Sequence, residues 1–119
     1  MRTLYGIRNC DSCRNAIRWL EDSGISFRFH DLRDDGLDIQ MLERWSGRID
    51  WHKLLNTRST TWRQLPVKER ENITKSRAFA TMIKHPTLVK RPVLESTEFI
   101  AVGFKADAYR ASFEKLGML

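Results

Sequence analysis

The sequence is poor in cysteine, proline and glycine, with two, three and six of them among 119 residues. Two cysteines cannot build a disulfide scaffold, and without an export signal they are not expected to form a structural staple. The prolines Pro66, Pro86 and Pro92 stand singly, so there is no Pro/Gly/Ser linker, and no repeat or low-complexity tract is present. With 41% hydrophobic and 30% charged residues, collagen-like, coiled-coil and disordered chains are disfavoured. Long apolar runs are missing as well: the uncharged stretches are a few residues long, against the ~20 that a membrane span needs. The start Met1-Arg2-Thr3-Leu4 lacks the apolar core of a signal peptide. The expectation is a soluble, monomeric, cytoplasmic protein with no membrane contact.

Acids are the scarcer charge, 15 Asp and Glu against 21 Lys and Arg, for a net charge of +6. Such a surplus favours anionic partners without choosing a class of them. The basic residues are spread over the whole chain, however, so a solvated positive surface accounts for most of them. Direct nucleic-acid binding is not expected.

What is present suffices for one core: 41% of the residues are hydrophobic and 30% charged, at a length that fits one domain of roughly 100–200 residues. Thr3-Leu4-Tyr5-Gly6-Ile7 reads as a strand, and a helix follows from about Asp11 to Ser23, stopped by Gly24. Within it Cys13, Ala16, Ile17 and Leu20 share one face. Ile25, Phe27 and Phe29 then alternate with Ser26, Arg28 and His30 as in a half-buried strand. The opening is therefore β-α-β, with the strands expected parallel.

From Gly36 to about Pro86 the pattern is helical, with Leu37, Met41 and Trp45 four apart and a second stripe of Ala78, Phe79, Met82 and Ile83. Thr87 to Leu94, a turn at Glu95-Ser96-Thr97-Glu98, and Phe99-Ile100-Ala101-Val102 read as a hairpin. A last helix presents Tyr109, Ser112, Phe113 and Leu116, with Gly117 as its stop. Some 50 residues between strands are too many for a plain loop. The expected architecture is a single α/β domain over 1–119 with a mixed sheet and a helical insertion at about 36–86 that covers one end or face of the sheet. The four tryptophans, Trp19, Trp45, Trp51 and Trp62, are expected in the core.

The chemistry is concentrated in Cys10-Asp11-Ser12-Cys13, a C-x-x-C where a strand ends and a helix begins. Free amides and the positive end of the helix dipole at that point favour a thiolate. Cys10 is thus the expected nucleophile. Arg8 and Arg14 add positive charge for the thiolate or an anionic substrate, and Asp11 opposes them. Cys13, one turn further and on the apolar face, is placed to attack a mixed disulfide at Cys10 and release the product. Its alternative role is that of a small core residue. A zinc site is disfavoured, because His30, His52 and His85 lack ligand spacing.

Two further segments bear on an anion. Arg91-Pro92 stands at the start of a strand, where base rates favour a trans bond and a cis bond would turn a backbone edge toward whatever docks at the thiolate. Asn56-Thr57-Arg58-Ser59-Thr60-Thr61-Trp62-Arg63 mixes hydroxyls and arginines. There an arginine could fork an oxyanion, or Ser59, Thr60 or Thr61 could simply cap a helix.

Leu4-Tyr5-Gly6-Ile7-Arg8-Asn9-Cys10-Asp11, the Asn56-Thr57-Arg58 segment with Trp62, the run His85-Pro86-Thr87-Leu88-Val89-Lys90-Arg91-Pro92 and the closing Val102-Gly103-Phe104 resemble, in order, the arsenate reductase family with a thioredoxin-like fold. The family also holds Spx-type regulators and the YffB-like proteins of bacteria. The resemblance implies a nucleophilic Cys10, oxyanion-binding arginines at Arg58 and Arg91, and a cis-proline at Pro92. True arsenate reductases carry a third arginine late in the chain just before a proline. Val102-Gly103-Phe104 stands there instead, which weakens the hold on a trianionic intermediate.

The segments Gly36-Leu37-Asp38, Leu54-Leu55-Asn56, Thr60-Thr61-Trp62-Arg63 and Arg91-Pro92-Val93-Leu94 resemble YffB-like proteins, for which a glutathione-dependent thiol reductase activity has been proposed. That likeness implies glutathione as co-substrate, no bound cofactor or metal, and a disulfide substrate or glutaredoxin as partner. The Cys10/Cys13 pair also resembles that of Spx-type regulators, whose disulfide switches binding to the RNA polymerase α subunit.

Overall fold

The apolar stretches near both ends of the chain meet in one sheet. In this computed structural model, which describes residues 1–119, β1 (Thr3–Gly6), β2 (Arg28–Asp31), β3 (Val93–Glu95) and β4 (Ile100–Val102) lie in the order β2-β1-β3-β4. β1 runs parallel to β2 and antiparallel to β3, and β3 antiparallel to β4. A parallel pair requires a crossover, which α1 (Asp11–Asp22) supplies. Ser23 ends that helix and Gly24 follows at φ +70°, the left-handed turn that glycine takes without a Cβ penalty.

The chain divides into a sheet unit, Met1–Leu32 with Arg91–Leu119, and a helical unit, Arg33–Lys90. The sheet unit is built around Leu4, Ala16, Leu20, Ile25, Leu94, Tyr109 and Phe113. Leu4 stands between Phe29 and Leu94 in the register of the central strand. α6 (Ala106–Lys115) contributes Tyr109 and Phe113, and Trp19 meets the Tyr109 ring edge-on at 5.6 Å. Burial of each such side chain stabilises by about 1.5–3 kcal/mol. The β3–β4 turn is closed by Ser96, whose buried hydroxyl donates to the Phe99 carbonyl at 3.0 Å and accepts the Phe99 N–H at 3.1 Å.

The helical unit holds α2 (Ile39–Ser46), α3 (Thr60–Gln64), α4 (Val67–Arg70) and α5 (Lys75–Lys84), with 3-10 turns at Trp51–Lys53 and Pro86–Leu88. α2 packs on α5, and both α3 and α5 meet the second 3-10 turn. Trp45, Leu42, Leu54, Phe79, Met82 and Leu88 are buried in this unit. Three of these helices are started by side chains: Asp38 accepts the Met41 N–H, Ser59 that of Trp62 and Thr74 that of Arg77, while α4 follows Pro66 without such a cap. For Ser59 the capping alternative is the one observed.

Several expectations are corrected. Ile25 is buried but lies outside β2, which begins at Arg28. The extended run expected from Thr87 to Leu94 shortens to Val93–Glu95, because Pro86 opens a 3-10 turn closed by the Leu88 and Val89 amides on His85 and Pro86. Val89 then forms a lone bridge with Leu55. Ile83 and Leu116 are each 37% exposed, since both fall at the ends of their helices where the apolar stripe rotates off the core. Of the tryptophans only Trp45 is fully buried, and Trp19, Trp51 and Trp62 are half-buried. No helix is long and apolar enough to cross a membrane.

Candidate active site

β1 delivers the chain to α1 through Ile7, Arg8 and Asn9, and Cys10 is the residue before the helix, with extended backbone at φ −145° and ψ 123°. This is the position where other helices carry Ser, Thr, Asp or Asn to satisfy free amides. At α1 no side-chain oxygen does so. Cys10 is half-buried, Cys13 is fully buried, and neither is in a disulfide.

Burial works against ionising Cys10, and three groups overcome it. The Cys13 amide, the Cys13 thiol and the Arg91 guanidinium each hold the sulfur as thiolate, and the Arg91 charge adds to its hydrogen bond. The net result is a thiol titrating below its ordinary value of 9.0. Cys13 is driven the other way. Its burial, reinforced by the hydrogen bond it gives to Cys10 and by the Cys10 charge, pushes it up to about 12, although the Ile7 backbone and Arg91 oppose this. One sulfur is thus poised as a thiolate and the other holds its proton.

Gly6 makes room for this arrangement. A Cβ at Gly6 would stand 2.5 Å from the Cys13 sulfur and 3.4 Å from the Phe29 ring, so only glycine lets the last residue of β1 pass the buried thiol.

Arg91 and Pro92 belong to the same sheet unit, and the bond between them is cis. The Pro92 carbonyl accepts the Gly103 N–H at 2.9 Å. Arg14 pairs with the Asp11 carboxylate and reaches the Arg8 carbonyl and the Asn9 Oδ1, each at 3.4 Å. Arg8 places its guanidinium 3.5 Å from Asp31 and 5.5 Å from the centre of the Phe29 ring. Of the three arginines in this unit expected at the site, Arg91 is the one that acts on the Cys10 sulfur. Arg58 lies in the helical unit, exposed, with its N–H on the Asn56 side-chain oxygen at 3.1 Å. No group of three or more His, Cys, Asp or Glu side chains is gathered to hold a metal ion.

Two residues of the site escaped sequence reasoning. Gly6 lay inside the strand read from the sequence, Thr3 to Ile7, with no sign of what it passes. Asp31 left a signal in the alternation that leads into β2: Ile25, Phe27 and Phe29 are the less exposed residues, and two residues on, the same alternation presents a carboxylate.

Comparison with known proteins agrees with this geometry. A model of the ArsC family matches residues 5–112. An uncharacterized protein of Haemophilus influenzae is 39% identical over 113 residues, covering 95% of this chain and 99% of that one. The global transcriptional regulator Spx of Bacillus subtilis is 30% identical over 92% of this chain and 85% of its own. Among solved structures, a YffB protein superposes with a TM-score of 0.88 at 37% identity, over 93% of this chain and 97% of that one. An arsenate reductase-related protein from Brucella melitensis gives 0.76 at 44% identity, over 95% and 94% of the two chains. The α/β sheet with its C-x-x-C at the head of α1 is the thioredoxin-like, thiol-oxidoreductase fold of these relatives, and the chain belongs to the ArsC family.

Proposed function

We propose that this protein is a glutathione-dependent thiol-disulfide oxidoreductase with Cys10 as its nucleophile. The observation that carries the reading is the opposed pair of sulfurs: Cys10 held as thiolate by Cys13 and Arg91, and Cys13 buried with its proton. The Cys10 thiolate attacks the glutathione sulfur of a mixed disulfide. A Cys10–glutathione disulfide forms as the original S–S bond breaks, and the substrate thiol leaves as a thiolate that takes a proton from water. A second glutathione thiolate then attacks the bound glutathione sulfur, releasing oxidised glutathione and restoring the Cys10 thiolate.

Cys13 offers a second exit, attack on Cys10 with loss of glutathione. Burial is the main reason its proton is held to about 12, and that persists after Cys10 has reacted, so the glutathione route carries most of the flux. Glutathione bears two carboxylates, and Arg91, beside the Cys10 sulfur, is a proposed anchor for one of them. Arsenate is disfavoured as substrate by Val102-Gly103-Phe104 in place of a third arginine.

The test is steady-state turnover of a small mixed glutathione disulfide, coupled to glutathione reductase and NADPH. The wild type is expected to turn over, Cys10→Ser to fall to background, and Cys13→Ser to slow without stopping. A wild type at background rejects the reading. The likeness to Spx of Bacillus subtilis favours a second one, a redox-controlled regulator without turnover. Binding of the RNA polymerase α subunit that follows the Cys10/Cys13 redox state supports it, and absence of binding in both states rejects it.

A further inference from the structure

β2 ends on a carboxylate that the proposed reaction does not use. Asp31 is 3% exposed, and an ionised carboxylate in such a place is costly unless it is paired and hydrogen-bonded. Its Oδ2 accepts the backbone N–H of Arg8 at 3.0 Å and lies 3.5 Å from the Arg8 guanidinium. The guanidinium end of this contact is 62% exposed and adds little. The short contact, on the buried side, is the one to the backbone.

Arg8 stands two residues before Cys10, in the loop between β1 and α1. One residue beyond Asp31, the Leu32 N–H bonds the Gly6 carbonyl at 2.8 Å, so the end of β2 grips the loop on both sides of Ile7. From α1 the Arg14 guanidinium reaches the Arg8 carbonyl and Asn9. The loop is held from the strand by a charged acceptor and from the helix by a charged donor, both stronger than neutral partners.

We propose that Asp31 is a positioning residue for Cys10: by holding the Arg8 amide from the end of β2, it fixes the loop that presents the sulfur to Cys13 and Arg91. The proposal rests on the reading of Cys10 as the reacting sulfur. The contacts that keep Cys10 a thiolate are directional, and a loop released from Asp31 loses their alignment while the sheet and helix stay in place. Displacements of about 1 Å cost up to ~10²-fold in rate at reacting centres.

The experiment is the pH midpoint of Cys10 alkylation by iodoacetamide, read by mass spectrometry on the full chain, for Asp31→Ala, Asp31→Asn and Arg8→Ala beside the wild type. Asp31→Ala is expected to raise the midpoint toward 9.0, and a rise of one pH unit slows alkylation about tenfold below the midpoint. Asp31→Asn keeps an oxygen for the Arg8 amide and removes only the charge, so its midpoint stays at or below that of the wild type. Arg8→Ala keeps the amide and leaves the midpoint unchanged. A folded Asp31→Ala with the wild-type midpoint overturns the proposal, as does an equal upward shift in Asp31→Asn.

Amide exchange in the wild type needs no variant to fold. Strong protection of the Arg8 N–H supports the tie, and exchange at the rate of a free loop amide overturns it. Alkylation does not depend on turnover, so a midpoint shift in a protein that fails the glutathione assay keeps the role of Asp31 and rejects the oxidoreductase reading. Turnover without a shift does the reverse.

Discussion

Three of the four α-helices of the helical unit start on a side-chain oxygen, α4 after Pro66 being the exception, whereas neither helix of the sheet unit does. Asp38, Ser59 and Thr74 each accept an amide from the first turn that follows them, and Asp50 does the same for a 3-10 turn. In the sheet unit Cys10 and Lys105 stand before α1 and α6 with no side-chain oxygen on the amides. α6 compensates by burying Tyr109 and Phe113. α1 leaves its first amides for a sulfur that must also react. α2, α3 and α5 have their starts satisfied permanently by an oxygen, whereas α1 keeps its start for a group that changes its bonding.

Replacing Cys10 by Ser tests this contrast most severely. The hydroxyl is a good cap but too weakly acidic to serve as the thiolate, so turnover is expected to fall to background. In acid, where Cys10 is a plain thiol, Cys10→Ser is expected to unfold later in urea than the wild type, by ~0.5 kcal/mol. A variant both inactive and less stable at acid pH would break the comparison.

Next in size is Gly6→Ala. The added methyl meets the Cys13 sulfur, and overpacking of this kind costs about 1–3 kcal/mol. The loss is expected in urea unfolding, and Gly6→Ala with Cys13→Ala should recover most of it. Without recovery, the close approach of β1 to Cys13 is not what requires glycine.

Arg91→Ala removes a hydrogen bond and a charge from Cys10, and the alkylation midpoint is expected to rise toward 9.0. The sign follows from linkage. Because folding lowers the Cys10 value, its ionisation stabilises the native state above 9.0 and that contribution is lost as pH falls through the native midpoint. Cys13 runs in the opposite sense: between 9.0 and about 12 the unfolded chain releases this proton and the folded one keeps it, so stability falls with rising pH. Urea titrations at pH 7, 9 and 10.5 should show that fall in the wild type and less of it in Cys13→Ala.

The smallest effect belongs to the helical unit. Asp38→Ala or Thr74→Ala removes a cap and is expected to cost ~1 kcal/mol in urea unfolding, with no change in the alkylation midpoint of Cys10. A shift of that midpoint would show that the two units do not divide their tasks as their helix starts suggest.

Much of the fold was legible because the signals were local. The stripe of Cys13, Ala16 and Leu20 is buried as its spacing implied, and the β-α-β opening forms the parallel pair. Thr87 to Leu94 misled because β-branched and apolar residues fit a strand and a buried turn equally well, and Pro86 decided for the turn. Ile83 and Leu116 misled because periodicity marks a face without marking where the helix leaves the core. At the site, Cys10 was legible from its place between strand and helix. That Arg91, and not Arg8 or Arg14, acts on its sulfur was not, because Arg91 lies some 80 residues further along the chain and only the fold brings them together. Gly6 likewise needs coordinates, since its partner is a side chain on the next element.

The Cys10 position has a consequence for detection. When its sulfur enters a disulfide, the thiolate charge that the Cys13 amide faces disappears. Oxidation of a single atom thereby alters the surroundings of one amide, and the Cys13 N–H becomes a reporter of redox state that nuclear magnetic resonance can follow with no label attached to either sulfur.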